Sequence, residues 1–190
     1  MSRYNYFDSL ERLSVLSARA VFLSCSSARA SAQTELASIR QDAGRIICEL
    51  ERELFSDFLP PLERADISAV AHALCRIIER CADILGYKSG KNSIYERKSK
   101  EAELCIRLSQ LIEESCALLR SIKHPDQLPD LVGFRKLLCD ARSEHIAMQK
   151  KLSSGVCPRS AQHSLCLLGA LRRELSRTFD TTVEVMLNNI

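Results

Sequence analysis

Apolar residues recur at intervals of three and four along most of this chain, in six segments that polar, Pro-containing or Gly-containing stretches separate. This spacing places the apolar side chains on one face of an α-helix and leaves the opposite face to solvent. Few segments combine β-branched residues with alternation of period two, so the sequence does not predict a sheet. The pattern predicts an all-α protein of about six helices.

Local start and stop signals bound the predicted helices. Thr34 and Ser93 are candidate N-caps of the second and fourth helices, and Gly86 is the predicted C′ residue of the third. The two prolines of the segment HPDQLPD, residues 124–130, cannot lie inside a helix and therefore predict a turn. The helices are predicted at about Tyr4 to Ser27, Thr34 to Asp57, Pro61 to Gly86, Ser93 to Lys123, Leu131 to Leu152 and Ser160 to the C-terminus.

Short connections between these helices predict antiparallel neighbours in a bundle. The most polar and basic stretch, KSGKNSIYERKSK from Lys88 to Lys100, separates three helices from three. We predict one domain over residues 1–190, with a first three-helix half at about 4–86 and a second at about 94–190. The basic stretch could bind an acidic surface or lipid headgroups, but a solvated loop leading into a helix is the commoner explanation.

The segment from Phe58 to Asp83 has the clearest pattern. Pro60 and Pro61 cannot continue a preceding helix, and Pro61 suits the start of the next one. Asp66 then lies near the positive end of the helix dipole. The apolar face of the helix that follows carries Ile67, Val70, Leu74, Ile77, Ile78, Cys81 and Ile84.

This segment resembles the Pit-accessory branch of the PhoU-like proteins, which are associated with inorganic phosphate transport. In that family a Phe and a Pro-containing turn precede Arg-Glu-Asp-Ile. The residues that match without a gap are Phe58, Pro61, Arg64, Asp66, Ile67, Ala73, Leu74 and Ile77, with Ile46 and Leu54 on the expected apolar positions before them. The resemblance covers the first half clearly and the second half by helix pattern. It implies an antiparallel bundle of two three-helix units packed side by side.

The resemblance also implies a metal site, built from a Glu and an Asp four residues apart and an Asp-Asp-x-x-Asp run on the next helix. This sequence departs from that motif. The Glu and Asp positions hold Arg40 and Gly44, and the three later aspartates fall on Cys75, Arg76 and Glu79. Two guanidinium groups would oppose a cation there. We therefore predict that the first half does not bind the family's metal, and that an ion pair has replaced it.

Two other metal sites are conceivable. His72, Cys75 and Glu79 share a helical face and could form a softer site, although a half-buried His beside a packed Cys is the commoner arrangement. In the second half Asp140 and Glu144 are four apart, and Glu174 matches an aspartate of the last helix. Solvated helix carboxylates explain these three more simply. His145 and Glu184 lie near these carboxylates in the sequence, but they are not clearly on the same helix faces.

Composition excludes several classes of protein. A net charge of +3 argues against a dedicated nucleic-acid binder. No apolar run approaches a membrane span, and the N-terminal sequence MSRYNYFDSLERL lacks the pattern of a signal peptide, so we predict a cytoplasmic protein with at most peripheral membrane contact. The nine cysteines include no C-x-x-C pair, which favours free thiols in a reducing compartment.

Together with these exclusions, the resemblance to the Pit-accessory branch implies a non-enzymatic regulator or adaptor that binds a phosphate transporter or its regulator. No Cys/His pair is singled out for catalysis, and no glycine-rich phosphate loop is present. We predict no catalytic residue, cofactor or metal ligand. The alternatives are a metal-binding protein with a carboxylate site in its second half, and a ligand-free helical dimerisation module. Either a monomer or a homo-oligomer is compatible with the sequence.

Overall fold

The computed structural model describes residues 4–26, 29–88, 99–121, 129–153 and 159–189. Within these ranges the chain forms six α-helices and no strand. A 3₁₀ turn, Leu119–Ser121, extends the fourth helix. The helices are α1 (Tyr6–Ser26), α2 (Arg29–Ser56), α3 (Arg64–Lys88), α4 (Lys100–Leu118), α5 (Leu131–Lys151) and α6 (Arg159–Asn188). The predicted all-α fold of about six helices is confirmed.

Four helices form the centre of the bundle. α1 packs on α3 and α4, and α6 packs on the same two helices. α2 covers α1 and α3 from outside, and α5 covers α4 and α6 in the equivalent way. The two three-helix halves therefore lie side by side, joined along α1–α4 and α3–α6, as predicted. The assignment of residues 1–190 to one domain stays a prediction.

Contacts between distant residues show that neighbouring helices run antiparallel. Arg120, just after α4, pairs with Glu11 near the start of α1 at 3.1 Å. Asn189, just after α6, donates to Asp66 in the first turn of α3 at 3.0 Å. The start of one helix therefore meets the end of its neighbour in both pairs.

One end of the bundle holds the starts of α1, α3 and α5 and the ends of α2, α4 and α6, and we call it the turn end. The Tyr6 hydroxyl of α1 donates to Asp57, in the α2–α3 connection, at 3.2 Å. Burial and the neighbouring Asp57 raise the pKa of Tyr6 to about 12. Arg135, near the start of α5, pairs with Asp180 in the later part of α6 at 2.6 Å. These contacts fix the outer helices to the turn end.

Three predicted helix boundaries were wrong. α2 begins at Arg29 and not at Thr34, because Ala32 is buried in the core and extends the packed face by a turn. Gly86 lies inside α3, which continues to Lys88 with helical geometry. The N-cap of α4 is Ser99, whose hydroxyl accepts from the Ala102 N–H, and the predicted cap Ser93 lies outside the described residues.

The core follows the predicted apolar faces. Leu74 and Ile77 of α3 are fully buried, as are Leu10 and Leu13 of α1 and Leu108 of α4. Between α5 and α6, Phe134 and Phe179 stack with ring centroids 3.6 Å apart and planes 4° from parallel. Such continuous apolar contact across all six helices is the main source of stability in a bundle.

Candidate functional site

The positions where the resembled family binds metal in its first half hold an ion pair. Arg40 of α2 donates from Nε and Nη2 to the two carboxylate oxygens of Glu79 in α3, at 2.9 and 2.7 Å. The two side chains are 50% and 58% exposed, so the pair lies on the surface between the helices. Gly44, one turn further along α2, offers no ligand. Because the guanidinium occupies the only carboxylate of the motif, these residues do not fit a cation.

The second candidate metal site, with the softer ligands His72 and Cys75 beside Glu79, does not form either. His72 Nε2 lies 2.8 Å from Glu51 of α2, and Glu79 is held by Arg40. Burial, with a smaller contribution from Glu79, raises the pKa of the Cys75 thiol to about 11 and disfavours the thiolate that binds metals. Within the described ranges no group of three or more His, Cys, Asp or Glu side chains is arranged to hold a metal ion.

Two of the three carboxylates proposed for the second half are paired with different cations. Glu144 of α5 accepts from Lys100 of α4 at 2.7 Å. Glu174 of α6 accepts instead from Arg76 of α3 at 2.7 Å, and Asp140 remains exposed at the surface of α5. The arrangement ties helices together and does not converge on one point.

The Arg76–Glu174 contact is one of several polar links between the two halves, and its carboxylate is buried. Glu174 is buried, with 4% of its side chain exposed, whereas Arg76 reaches it from the surface and is 53% exposed. One turn later Thr178 donates to the Ala73 carbonyl of α3 at 3.3 Å and to the Glu174 carbonyl at 2.9 Å. Both contacts lie on the α3–α6 seam and fix its register.

A buried polar cluster of Glu101, His145 and Arg172, which sequence reasoning missed, joins α4, α5 and α6. His145 Nδ1 lies 3.0 and 3.1 Å from the two Glu101 carboxylate oxygens. Arg172 Nε lies 3.6 Å from the nearer oxygen and is buried without a hydrogen-bond acceptor. Burial raises the pKa of Glu101, although His145 and Arg172 both act to lower it. The space for the imidazole comes from Gly169, where a Cβ atom would lie 2.6 Å from His145 Cε1.

A signal for this cluster does exist in the sequence. Glu101 lies three, four and seven residues before Leu104, Cys105 and Leu108, all of them on the buried face of α4. An ionisable residue in phase with an apolar stripe is therefore a candidate buried charge, and it requires a partner from another helix.

The Phe58 turn, which carries the start of the resembled motif, exposes three large apolar side chains at the turn end. Phe55, Phe58 and Leu59 are 94%, 87% and 67% exposed. Their backbone is nevertheless fixed, because Arg64 donates to the carbonyl oxygens of Leu54, at 2.9 Å, and Asp57. We call these three side chains the apolar turn.

Further exposed apolar residues lie at the same end. Leu187 in the last turn of α6 is 60% exposed, and Val132 in the first turn of α5 is 80% exposed. Isolated exposed apolar residues are ordinary, but several at one end of a bundle are typical of an interaction surface. Of the basic stretch proposed as a docking patch, residues 89–98 lie outside the described ranges. Lys100 pairs with Glu144.

Comparison with solved structures finds the same fold. A crystal structure of a PhoU-like protein from Shewanella oneidensis MR-1 has a TM-score of 0.61 and 15% identity, over 96% of each chain. A second PhoU-like structure from that organism, described as a candidate phosphate regulatory protein, has a TM-score of 0.59 and 14% identity, again over 96% of each chain. This chain therefore has the PhoU-like fold.

Neither sequence comparison adds to this likeness. The chain matches no protein-family model, and it matches no curated protein. Across the described helices none is both long and apolar enough to cross a membrane.

Proposed function

We propose that this protein is a non-enzymatic, cytoplasmic regulator or adaptor of inorganic phosphate transport, and that it acts by binding a phosphate transporter or its regulator. The PhoU-like fold and the Phe58 motif support this class of function. The apolar turn is the observation that carries the docking mechanism.

The apolar turn suits a protein partner because its backbone is already ordered. Arg64 closes the connection onto the last turn of α2, and Leu54 and Leu62 are buried on either side of it. A partner that covers Phe55, Phe58 and Leu59 gains the burial of apolar surface and has little loop entropy to overcome. Large aromatic residues are also those most often found at the energetic centre of protein interfaces.

The test uses the triple variant Phe55→Ser/Phe58→Ser/Leu59→Ser, with Val15→Ser as control. Val15 is half exposed on α1, outside the turn end. The tagged proteins are expressed in the native host, and co-purification of its phosphate permease and phosphate uptake are measured. We expect the triple variant to lose the permease and to alter uptake as a gene deletion does, while the control behaves as the wild type. Circular dichroism verifies that both variants keep their helices.

Other outcomes would point elsewhere. If deletion leaves uptake unchanged and the wild-type protein retains no permease, the phosphate-transport function is wrong. If the wild type forms a dimer in light scattering that the triple variant loses, the apolar turn is a self-association surface. That result would favour the ligand-free dimerisation module.

A further inference from the structure

An arginine-lined groove lies between the middle of α5 and the middle of α6. It encloses about 310 Å³ and is lined by Leu138, Cys139, Arg142, Arg172, Arg173, Ser176 and Arg177. Four of these seven residues are arginines and none is acidic. From this we propose that the groove is a binding site for a phosphate-bearing anion.

The arginines of the groove differ in their pairing from Arg135, which lies beside them on α5. Arg135, two turns earlier on α5, pairs with Asp180 at 2.6 Å. Arg142 and Arg173, by contrast, form no ion pair with any side chain in the described ranges. Their positive charges therefore lie on the two walls of one groove without an ion-pair partner among the described side chains.

The other two arginines are only partly compensated. Arg177 lies 3.9 Å from Glu174, whose closer partner is Arg76 at 2.7 Å. Arg172 lies 3.6 Å from Glu101, and its Nε is buried without an acceptor. Glu101 and Glu174 are both buried.

The chemistry of the lining favours phosphate. Guanidinium groups present planar pairs of N–H donors that match the oxygens of phosphate, and clusters of arginine are a recurring device for binding it. Ser176 adds a hydroxyl that makes no hydrogen bond with the described residues, whereas Ser143 on α5 donates to a carbonyl of its own helix. Leu138 and Cys139 add apolar surface, which strengthens electrostatic attraction by lowering the local dielectric. The volume suits one small ligand.

The groove is separate from the apolar turn, since its residues lie near the middle of α5 and α6 and not at the turn end. The inference therefore stands whether or not the protein binds a transporter. The phosphate group could be free in solution or part of a lipid headgroup, because the same guanidinium chemistry would recognise both.

The test measures binding of inorganic phosphate to the full chain by calorimetry, with sulfate and chloride at equal ionic strength for comparison. Sedimentation with phosphatidate vesicles, against phosphatidylcholine vesicles, tests the lipid source. The variant is Arg142→Gln/Arg173→Gln, which removes the two unpaired charges. Its matched control, Arg12→Gln/Arg45→Gln, removes the same net charge from exposed positions on α1 and α2.

We expect one saturable phosphate site that the groove variant weakens by at least about tenfold, with the control changed by less than about twofold. If the protein binds phosphatidate vesicles but not inorganic phosphate, and the groove variant loses that binding, the phosphate belongs to a lipid headgroup. The proposal is overturned if neither probe binds saturably, or if both double variants weaken binding equally, because simple charge attraction would then explain it. Melting temperatures of both variants near that of the wild type show that the fold is retained.

Discussion

At the scale of single residues, burial decides which side chains can react. None of the eight cysteines in the described ranges forms a disulfide, and four of them, Cys25, Cys81, Cys105 and Cys116, are buried. Burial raises the pKa of Cys116 to about 12 and that of Cys105 well above its usual value. Because the thiolate is the reactive form, these groups are protected twice, by lack of access and by lack of ionisation.

We predict that alkylation of the native protein distinguishes these classes of thiol. At pH 8 a small alkylating reagent should modify the exposed Cys48, Cys139 and Cys166 within minutes, and Cys105 and Cys116 only after denaturation. Peptide mass spectrometry before and after guanidinium treatment, without reductant, measures both sets. Rapid modification of Cys105 or Cys116 would show that α4 opens readily. Disulfide-linked peptides would contradict the predicted reducing compartment.

At the scale of the helices, two arginines of similar exposure have different energetic roles. Arg40 pairs with Glu79, which is itself exposed. Both charged groups therefore stay hydrated whether or not the pair forms, and the pair adds little stability. Arg76 pairs with Glu174, whose carboxylate is buried on the α3–α6 seam. Removing Arg76 leaves that buried charge with Arg177, 3.9 Å away, as its nearest remaining partner.

We predict that Arg76→Ala destabilises the protein more than Arg40→Ala does. Arg40→Ala should cost at most about 1 kcal/mol, as exposed pairs do. Arg76→Ala should cost about 2–3 kcal/mol, below the 3–5 found for fully buried pairs because Arg76 is half exposed. Urea unfolding measures both. The double variant Arg76→Ala/Glu174→Gln is the control and should recover part of the loss. If the two single variants lose equal stability, Glu174 is not a buried charge that depends on Arg76.

The helices themselves could be predicted from the sequence, whereas the contacts between them could not. The period of the apolar residues identified all six helices and placed Leu74 and Ile77 in the core. Their ends were harder, because packing of Ala32 outweighs a cap at Thr34. The pairing of Arg76 with a residue 98 positions away depends on how α3 and α6 slide and rotate against each other. A helical pattern defines a face and leaves that register open.

At the scale of the whole molecule, the two halves share one layout but differ in the charges between the outer helix and its neighbour. Each half has two helices in the central four and one outer helix. Between outer helix α2 and α3 the charges are paired, as Arg40 with Glu79. Between outer helix α5 and α6 they include the unpaired Arg142 and Arg173. The outer helix and its neighbour thus share an ion pair in one half, whereas in the other half they carry two arginines that form no ion pair with the described side chains.

The pairing in the first half leads to a prediction about metals. Arg40 donates both of its hydrogen bonds to Glu79, the one carboxylate left in the motif, and a guanidinium cannot be deprotonated to make way for a cation. The remaining candidate, Cys75, has its pKa raised to about 11, so a metal would also have to displace a firmly held proton. Iron, zinc or manganese would therefore gain little from these residues.

We predict no stoichiometric iron, zinc or manganese in the first half, and a melting temperature that neither added metal nor a chelator shifts, because only a ligand that binds the native state raises stability. Elemental analysis of protein purified without chelator measures the content, and Cys75→Ala is the matched variant. A metal that is present in the wild type and lost in Cys75→Ala would contradict the prediction. A metal retained in that variant, and lost when Asp140 and Glu144 are changed to Asn and Gln, would favour the alternative of a carboxylate site in the second half. That site would require Glu144 to leave Lys100 and Glu174 to leave Arg76, so binding should be accompanied by a measurable rearrangement of α5 and α6.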